Sequence, residues 1–303
     1  MRNGNGASLF LDSQSFPAKG AAMTDRPLFM TDDLDIALND MSEDDRAKVA
    51  SFARDGYLVI DPEIADFDRI AAHLSTLDYD GAGRIQDAWR TDADVRGLAL
   101  NARILDTLQL LYGREAFPFQ TLNFPVGTQQ LTHSDTIHFH SMPTDFMAGV
   151  WVALEDMDEQ NGPLHYYPGS HTLPHVTMDD LGVSGWKQRG YALYESHYEP
   201  GIQKVVADNG LIKRQARIRK GQALIWSANL LHGGDAILDP ARSRHSQVTH
   251  YYFRNCRYWT PLYSAGDKRY YRCPYNIASG KSVTRIGELP VDGRILRRIP
   301  GLA

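Results

Sequence analysis

The stretch "FMAGVWVALEDMDEQNGPLHYYPGS", residues 146–170, holds two runs rich in β-branched and aromatic residues, separated by a polar segment ending in Asn-Gly-Pro. Runs bounded in this way by Gly, Pro, Asn and Asp predict strands. The same character continues on both sides, in "FQTLNF" (119–124), "QQLTHSD" (129–135), "QARIRKG" (215–221), "QALIWSA" (222–228) and "SQVTHYYF" (246–253). Closely spaced strands with no helix between them point to a sandwich or jelly-roll barrel rather than a parallel α/β sheet.

Upstream the pattern is helical. Ser42 is an N-cap with Asp45 three residues on, Val49, Phe52 and Ala53 follow at helical spacing, and Gly56 ends the run before a "YLVI" strand. Two further helices are predicted over 66–77 and 92–111, the latter with an apolar face from Leu98 to Leu111. The chain is thus mainly β with flanking helices. A leader over 1–23, mixed and aperiodic, precedes one domain over 24–303: helical to about 115, a jelly roll over about 116–256, and a wrapping tail over 257–303. Met23 is a second possible start.

Composition narrows the function. Of 303 residues 43% are apolar, enough for a sizeable core. A net charge of -5 offers no footprint for a nucleic-acid backbone. Two cysteines, Cys256 and Cys273, are too few for a disulfide framework and fit a reducing, cytoplasmic setting. No run is long and apolar enough for a membrane span. The expected partner is a small-molecule substrate, with no nucleic acid, no membrane span and no obligate protein partner.

Chemistry enters at "QQLTHSDTIHFHSMP", residues 129–143. On a strand, His133 and Asp135 share a face. With 11 His and 29 Asp in the chain, about one His-x-Asp is expected by chance, so a third ligand is required. His232 in "LIWSANLLHGGDAI" supplies it. Two histidines and one carboxylate form the facial triad of non-haem Fe(II) oxygenases. Arg244, on the face of "SQVTHYYF" that carries Ser246 and Val248, suits a carboxylate deep in the barrel; Arg242 competes for that role. His138 and His140 have the opposite parity on a regular strand, which leaves substrate contact at a turn or a polar outer face. Trp151 and Trp226 read as core residues or as neighbours of the cosubstrate, and His171 in "PGSH" as loop architecture. The weakly periodic insert 189–210 is a lid or binding loop, or disorder.

In combination, "DGYLVI", "HSD", "WVALEDMDEQNGPLHYYPGSH" and "LLHGG" resemble the phytanoyl-CoA dioxygenase family of Fe(II)/2-oxoglutarate oxygenases, over about residues 41–253. That resemblance implies a double-stranded β-helix, a cupin-like jelly roll. It implies that His133, Asp135 and His232 bind Fe(II), that Arg244 grips the distal carboxylate of 2-oxoglutarate, and that O2 is the second cosubstrate. It places Asn123 beside the cosubstrate and Gln120 toward substrate, each with an ordinary polar edge residue as the alternative. Relatives often carry a Ser two residues after the distal His; here that residue is Gly234, and Ser246, Thr249 and His250 are the available substitutes. The implied reaction is hydroxylation of an unactivated C–H bond with release of succinate and CO2, catalysed by His133, Asp135 and His232. Cofactor contacts then fall to Arg244, Asn123 and Ser246, and substrate contacts to Gln120 and His140. A retained Asp135 argues against halogenation, because related halogenases lack that carboxylate; desaturation or ring formation stays open. The rivals are a zinc hydrolase using the same triad and a jelly-roll binding protein without chemistry.

Overall fold

The computed structural model describes residues 25–79, 81, 83–183, 190–266, 268–286 and 289–291, so the expected leader over 1–23 lies outside the described residues. Helix α1 (Leu34–Ala37) precedes α2 (Glu43–Asp55), which starts as its sequence dictates: the Ser42 hydroxyl accepts from the Asp45 N–H at 3.1 Å, and Gly56 ends it at φ 78°. Helix α3 spans Phe67–Leu74, shorter than the 66–77 expected, because the hydroxyls of Ser75 and Thr76 donate back to the carbonyls of Ala72 and His73. The helix expected over 92–111 is two, α4 (Ala93–Ala99) and α5 (Ala102–Tyr112). Asp92 caps the first, and Asn101 opens the second by accepting from the Ile104 N–H at 3.0 Å. The apolar periodicity runs through this break because both helices press the same sheet; the caps decide the break.

The strands that build the barrel and the sheet beside it are β1 (Tyr57–Ile60), β2 (Ile85–Gln86), β3 (Ala116–Phe124), β4 (His140–Met142), β5 (Met147–Ala153), β6 (Leu164–Tyr166), β7 (Arg214–Gln215), β8 (Ala223–Ser227), β9 (His232–Gly234), β10 (Ser246–Phe253), β11 (Arg257–Trp259) and β12 (Tyr271–Arg272). An antiparallel six-stranded sheet runs β1-β8-β5-β10-β3-β2, faced by the three-stranded β7-β6-β9. These two sheets form the double-stranded β-helix. A third sheet, β12-β11-β4, brings the strands at 257–259 and 271–272 back beside β4.

Side-chain alternation sorts the core into two layers. Val150, Val152, Ile225, Tyr251 and Phe253 face outward against Val49, Phe52, Leu98 and Leu108 of the helices. Trp151, Leu224, Trp226 and Val248 face inward toward Leu164, Tyr166 and Ala216. Gly149 is required where the second layer is tightest, since a Cβ there would lie 2.2 Å from the Trp226 indole.

Three further expectations change. "QQLTHSD" is not a strand: only His133 pairs, through a two-bond bridge to His232, and the chain then turns into a 3-10 helix at Asp135–Ile137 capped by the Ser134 hydroxyl. In "QARIRKG" the ladder reaches only Gln215. The insert is helical over its described part: α6 (Tyr191–Leu193) passes through a π-helical turn (Tyr194–Tyr198) into α7 (Glu199–Asp208). Tyr194, Tyr198 and Ile202 share a face of that run and pack with Ile137, Leu231 and Leu262. Among the described residues no helix is long and apolar enough to cross a membrane.

Candidate active site

His133, Asp135 and His232 meet between the two sheets, each at most 5% exposed, with one ligand atom from each within 4.8 Å of the others. The bridge holds the histidines together: His133 N–H donates to the His232 carbonyl at 2.8 Å and His232 N–H to the His133 carbonyl at 2.9 Å. Each Nδ1 lies against the carbonyl two residues earlier, Leu131 at 3.0 Å and Leu230 at 2.9 Å. A carbonyl only accepts, so each Nδ1 carries the hydrogen and each Nε2 presents a bare lone pair. Those nitrogens stand 3.8 and 3.9 Å from the oxygens of Asp135. The third element is Trp226, whose indole N–H donates to Asp135 Oδ2 at 2.9 Å and orients the carboxylate.

Protonation favours a metal. Burial first, and then the neighbouring His232, push His133 down to about 4. Burial alone would raise Asp135, but the imidazoles of His232, His250 and His133, with the Trp226 N–H, bring it to about 2. Near neutrality the cluster therefore offers two neutral imidazoles and one carboxylate, the donor set of a facial triad. Three buried groups converging on one point fit an Fe(II) ion.

A cavity of about 380 Å³ opens from the triad and includes Arg244, Trp151, Trp226, Thr128, Gln130 and Gln120 in its wall. Arg244 precedes β10 by two residues instead of lying within it as expected, yet it is 3% exposed, and its guanidinium carbon sits 5.1 Å from the Trp151 ring centre. Its Nε has no partner and no acidic side chain pairs with it among the described residues; burial lowers it to about 10. Arg242, the competing arginine, is spent outside on Asp158 at 2.8 Å.

The remaining sequence expectations divide. Gln120 lines the cavity, its Oε1 3.0 Å from His250 Nδ1. Asn123, three residues on along β3, has the opposite parity and does not line the cavity. Its amide donates to Gln247 Oε1 at 3.2 Å on the helix-facing side, and Gln247 in turn donates to the Val95 carbonyl. Ser246 is not in the wall itself: it is fully buried with an unpartnered hydroxyl, on the same face of β10 as Val248 and His250, both of which line the cavity. His140 is not in the wall. It meets His175 Nδ1 at 3.1 Å, and His175 meets Asp145 at 2.7 Å. His138 lines the cavity instead, because the 3-10 turn after Asp135 cancels strand parity.

His171 is structural: its Nε2 donates to the Ala53 carbonyl, and its ring fills the space a Cβ at Gly56 would take. His250, one of the substitutes expected for the absent serine, lines the cavity on the face of β10 that carries Ser246 and Val248. Sequence reasoning missed Thr128, Arg84, Arg272, Tyr191 and Tyr194 as cavity residues. A signal existed for the tyrosines in the 191, 194, 198, 202 spacing.

The jelly roll and its buried triad define a non-haem iron oxygenase class of site. Comparison with known proteins narrows it. The phytanoyl-CoA dioxygenase (PhyH) model matches residues 82–246. The ectoine dioxygenase of Sphingopyxis alaskensis is 27% identical over 222 residues, 64% of this chain and 71% of the relative. A phytanoyl-CoA dioxygenase domain-containing protein 1 from Danio rerio is 41% identical over 46 residues, 15% of this chain and 16% of the relative. Among solved structures, the non-haem alpha-ketoglutarate-dependent epimerase SnoN from nogalamycin biosynthesis superposes with a TM-score of 0.55 at 20% identity, over 75% of this chain and 98% of its own. EctD from S. alaskensis with bound Fe gives 0.55 at 23% identity, over 73% and 80%. The chain belongs to the phytanoyl-CoA dioxygenase family. It is a 2-oxoglutarate-dependent dioxygenase.

Proposed function

We propose that this enzyme hydroxylates an unactivated C–H bond of a small organic or lipid-like substrate, with 2-oxoglutarate as cosubstrate. The observation carrying the reading is that one cavity holds both the buried triad and a buried guanidinium with no acidic partner among the described residues. His133, Asp135 and His232 would hold Fe(II), and Arg244 would fork onto the distal carboxylate of 2-oxoglutarate. Iron bound there with 2-oxoglutarate and O2 supplies the oxidising chemistry, one oxygen atom going to succinate as CO2 leaves and the other to substrate.

The chain's own residues orient and shield. Trp226 holds the Asp135 carboxylate in place through its N–H, and Trp151 lies beside the Arg244 guanidinium. Thr128 takes the place of the absent serine: a Cβ on Gly234 would fall 2.8 Å from its hydroxyl oxygen, so that hydroxyl already occupies the position residue 234 would reach. The unpartnered Ser246 hydroxyl is the second neutral donor toward the cosubstrate. Gln120 contacts substrate, and His138 takes the part expected of His140. A zinc hydrolase would leave Arg244 buried and unpaired for no gain, against the usual cost of burying a charge.

The test is anaerobic titration with Fe(II) and 2-oxoglutarate, then a metabolite screen for substrate-dependent succinate release and a product heavier by one oxygen. Absence of 2-oxoglutarate binding to the iron-loaded protein would falsify the reading. A product lighter by two hydrogens would replace hydroxylation by desaturation.

A further inference from the structure

Beyond the triad and Arg244, the cavity wall carries two more arginines, Arg84 just before β2 and Arg272 on β12. Arg272 is half-buried; its guanidinium carbon lies 4.8 Å from the Phe139 ring centre, and it donates to Thr260 Oγ1 at 3.1 Å. Its Nε is buried without a partner. Arg84 is exposed at the mouth. Among the described residues neither makes an ion pair, and Asp135 is the one acidic residue in the wall.

Charge then decides what else must enter. Asp135 and dianionic 2-oxoglutarate together cancel Fe(II) and Arg244. The two outer guanidiniums keep their charge after both cofactors are seated, in a cleft whose walls are partly apolar, and such a cleft concentrates anions. Beside them stand flat rings: His138, Tyr191 and Tyr194 cluster with ring centres 5.1 to 6.0 Å apart.

We propose, resting on the oxygenase reading above, that the substrate is an organic anion, its planar or apolar body set among Tyr191, Tyr194 and Phe139 and its carboxylate or phosphate held by Arg272 and Arg84. The anionic group anchors the substrate at the mouth and leaves the body to reach the triad.

The experiment is a calorimetric binding screen on the Fe(II)- and 2-oxoglutarate-saturated enzyme under anaerobic conditions. The probes are aryl and alkyl carboxylates and phosphates, each paired with its neutral amide or alcohol and with an amine of the same skeleton. The expected result is that binders are anions, that neutral twins bind on the order of tenfold more weakly, and that added salt weakens binding. Whether carboxylates or phosphates prevail identifies the group. Arg272→Met is expected to lose about tenfold or more in probe affinity while 2-oxoglutarate affinity stays within about twofold. Because Arg272 packs on Phe139, Arg84→Gln at the exposed mouth serves as a second variant, with a smaller loss in the same direction. Binding dominated by neutral or cationic probes, no binding by any probe, or anion affinity unchanged in both variants overturns the proposal. Iron and 2-oxoglutarate titrations of the wild type, run first, judge the oxygenase reading separately.

Discussion

At the scale of single residues, burial decides which polar groups have work to do. Arg242 and Arg244 are two positions apart, yet one is satisfied by Asp158 outside and the other is buried with an orphaned Nε. Arg244→Met is therefore expected to raise the 2-oxoglutarate Kd about 100-fold, the loss of a forked charge-assisted pair worth about 3 kcal/mol, whereas Arg242→Met leaves it unchanged. Calorimetry on the iron-loaded enzyme reads both. Thr128→Ala is expected to weaken 2-oxoglutarate binding about fivefold, on the order of one neutral hydrogen bond. Gly234→Ser added to that variant is not expected to restore it, because the new Cβ would still meet the Gln129 backbone nitrogen at 2.9 Å. Gly149→Ala tests the ligand support: the new Cβ drives the Trp226 indole away from Asp135, so iron affinity falls about 10-fold to 100-fold and overpacking removes about 1–3 kcal/mol of stability. Trp226→Phe, which keeps the ring and loses the N–H, separates the two effects in an iron titration.

Elements are set by their ends as much as by their faces. Asn101 splits a continuous apolar periodicity into α4 and α5, and its side chain accepts the Ile104 N–H. Asn101→Ala is expected to cost about 1 kcal/mol in urea unfolding, with iron and 2-oxoglutarate affinities unchanged, since α5 packs on the far side of the sheet from the cavity. The 191–208 run behaves differently. Its π-helical turn aims Tyr194 at the cavity while Tyr198 and Ile202 stay in the core, and such turns are frequent at functional sites. In β9, Gly233 and Gly234 let the strand lie against the Gln130 backbone, where a Cβ on Gly233 would meet the Gln130 carbonyl at 2.7 Å; this close approach brings His232 to His133.

For the whole molecule, buried imidazoles set the acid limit. Burial, the largest cause in each case, brings His138 to about 3 and His140 to about 4, against about 6.5 in an unfolded chain. Each is neutral when folded and takes a proton on unfolding below about pH 6.5. Stability is therefore full above that value and is lost as pH falls toward 4. At pH 5 each costs about 2 kcal/mol. Urea unfolding of the metal-free protein at pH 7 and pH 5 is expected to show the loss, to which the buried His133 adds in the same direction, and His140→Gln to recover about 2 kcal/mol of it. A free energy of unfolding that is flat across this range contradicts the burial assigned to these histidines.

Much of the molecule was legible in the chain because its signals are local. The strand runs, the Ser42 cap, Gly56 and the spacing of "HSD" and "LLHGG" depend on neighbours a few residues away, and they pointed to the jelly roll and to His133, Asp135, His232 and Arg244, which the folded chain brings to one cavity. What the sequence did not disclose was side-chain direction wherever the chain leaves a regular element. The 3-10 turn at Asp135 exchanged the places of His138 and His140, and strand parity turned Asn123 away from the cavity. Nor could 303 letters show that Arg84 and Arg272, nearly two hundred positions apart, line one mouth without an acidic partner among the described residues. Local sequence determines which backbone a segment prefers; only the packed structure determines which charges end up together and out of water, because burial belongs to the assembly of segments and not to any one of them.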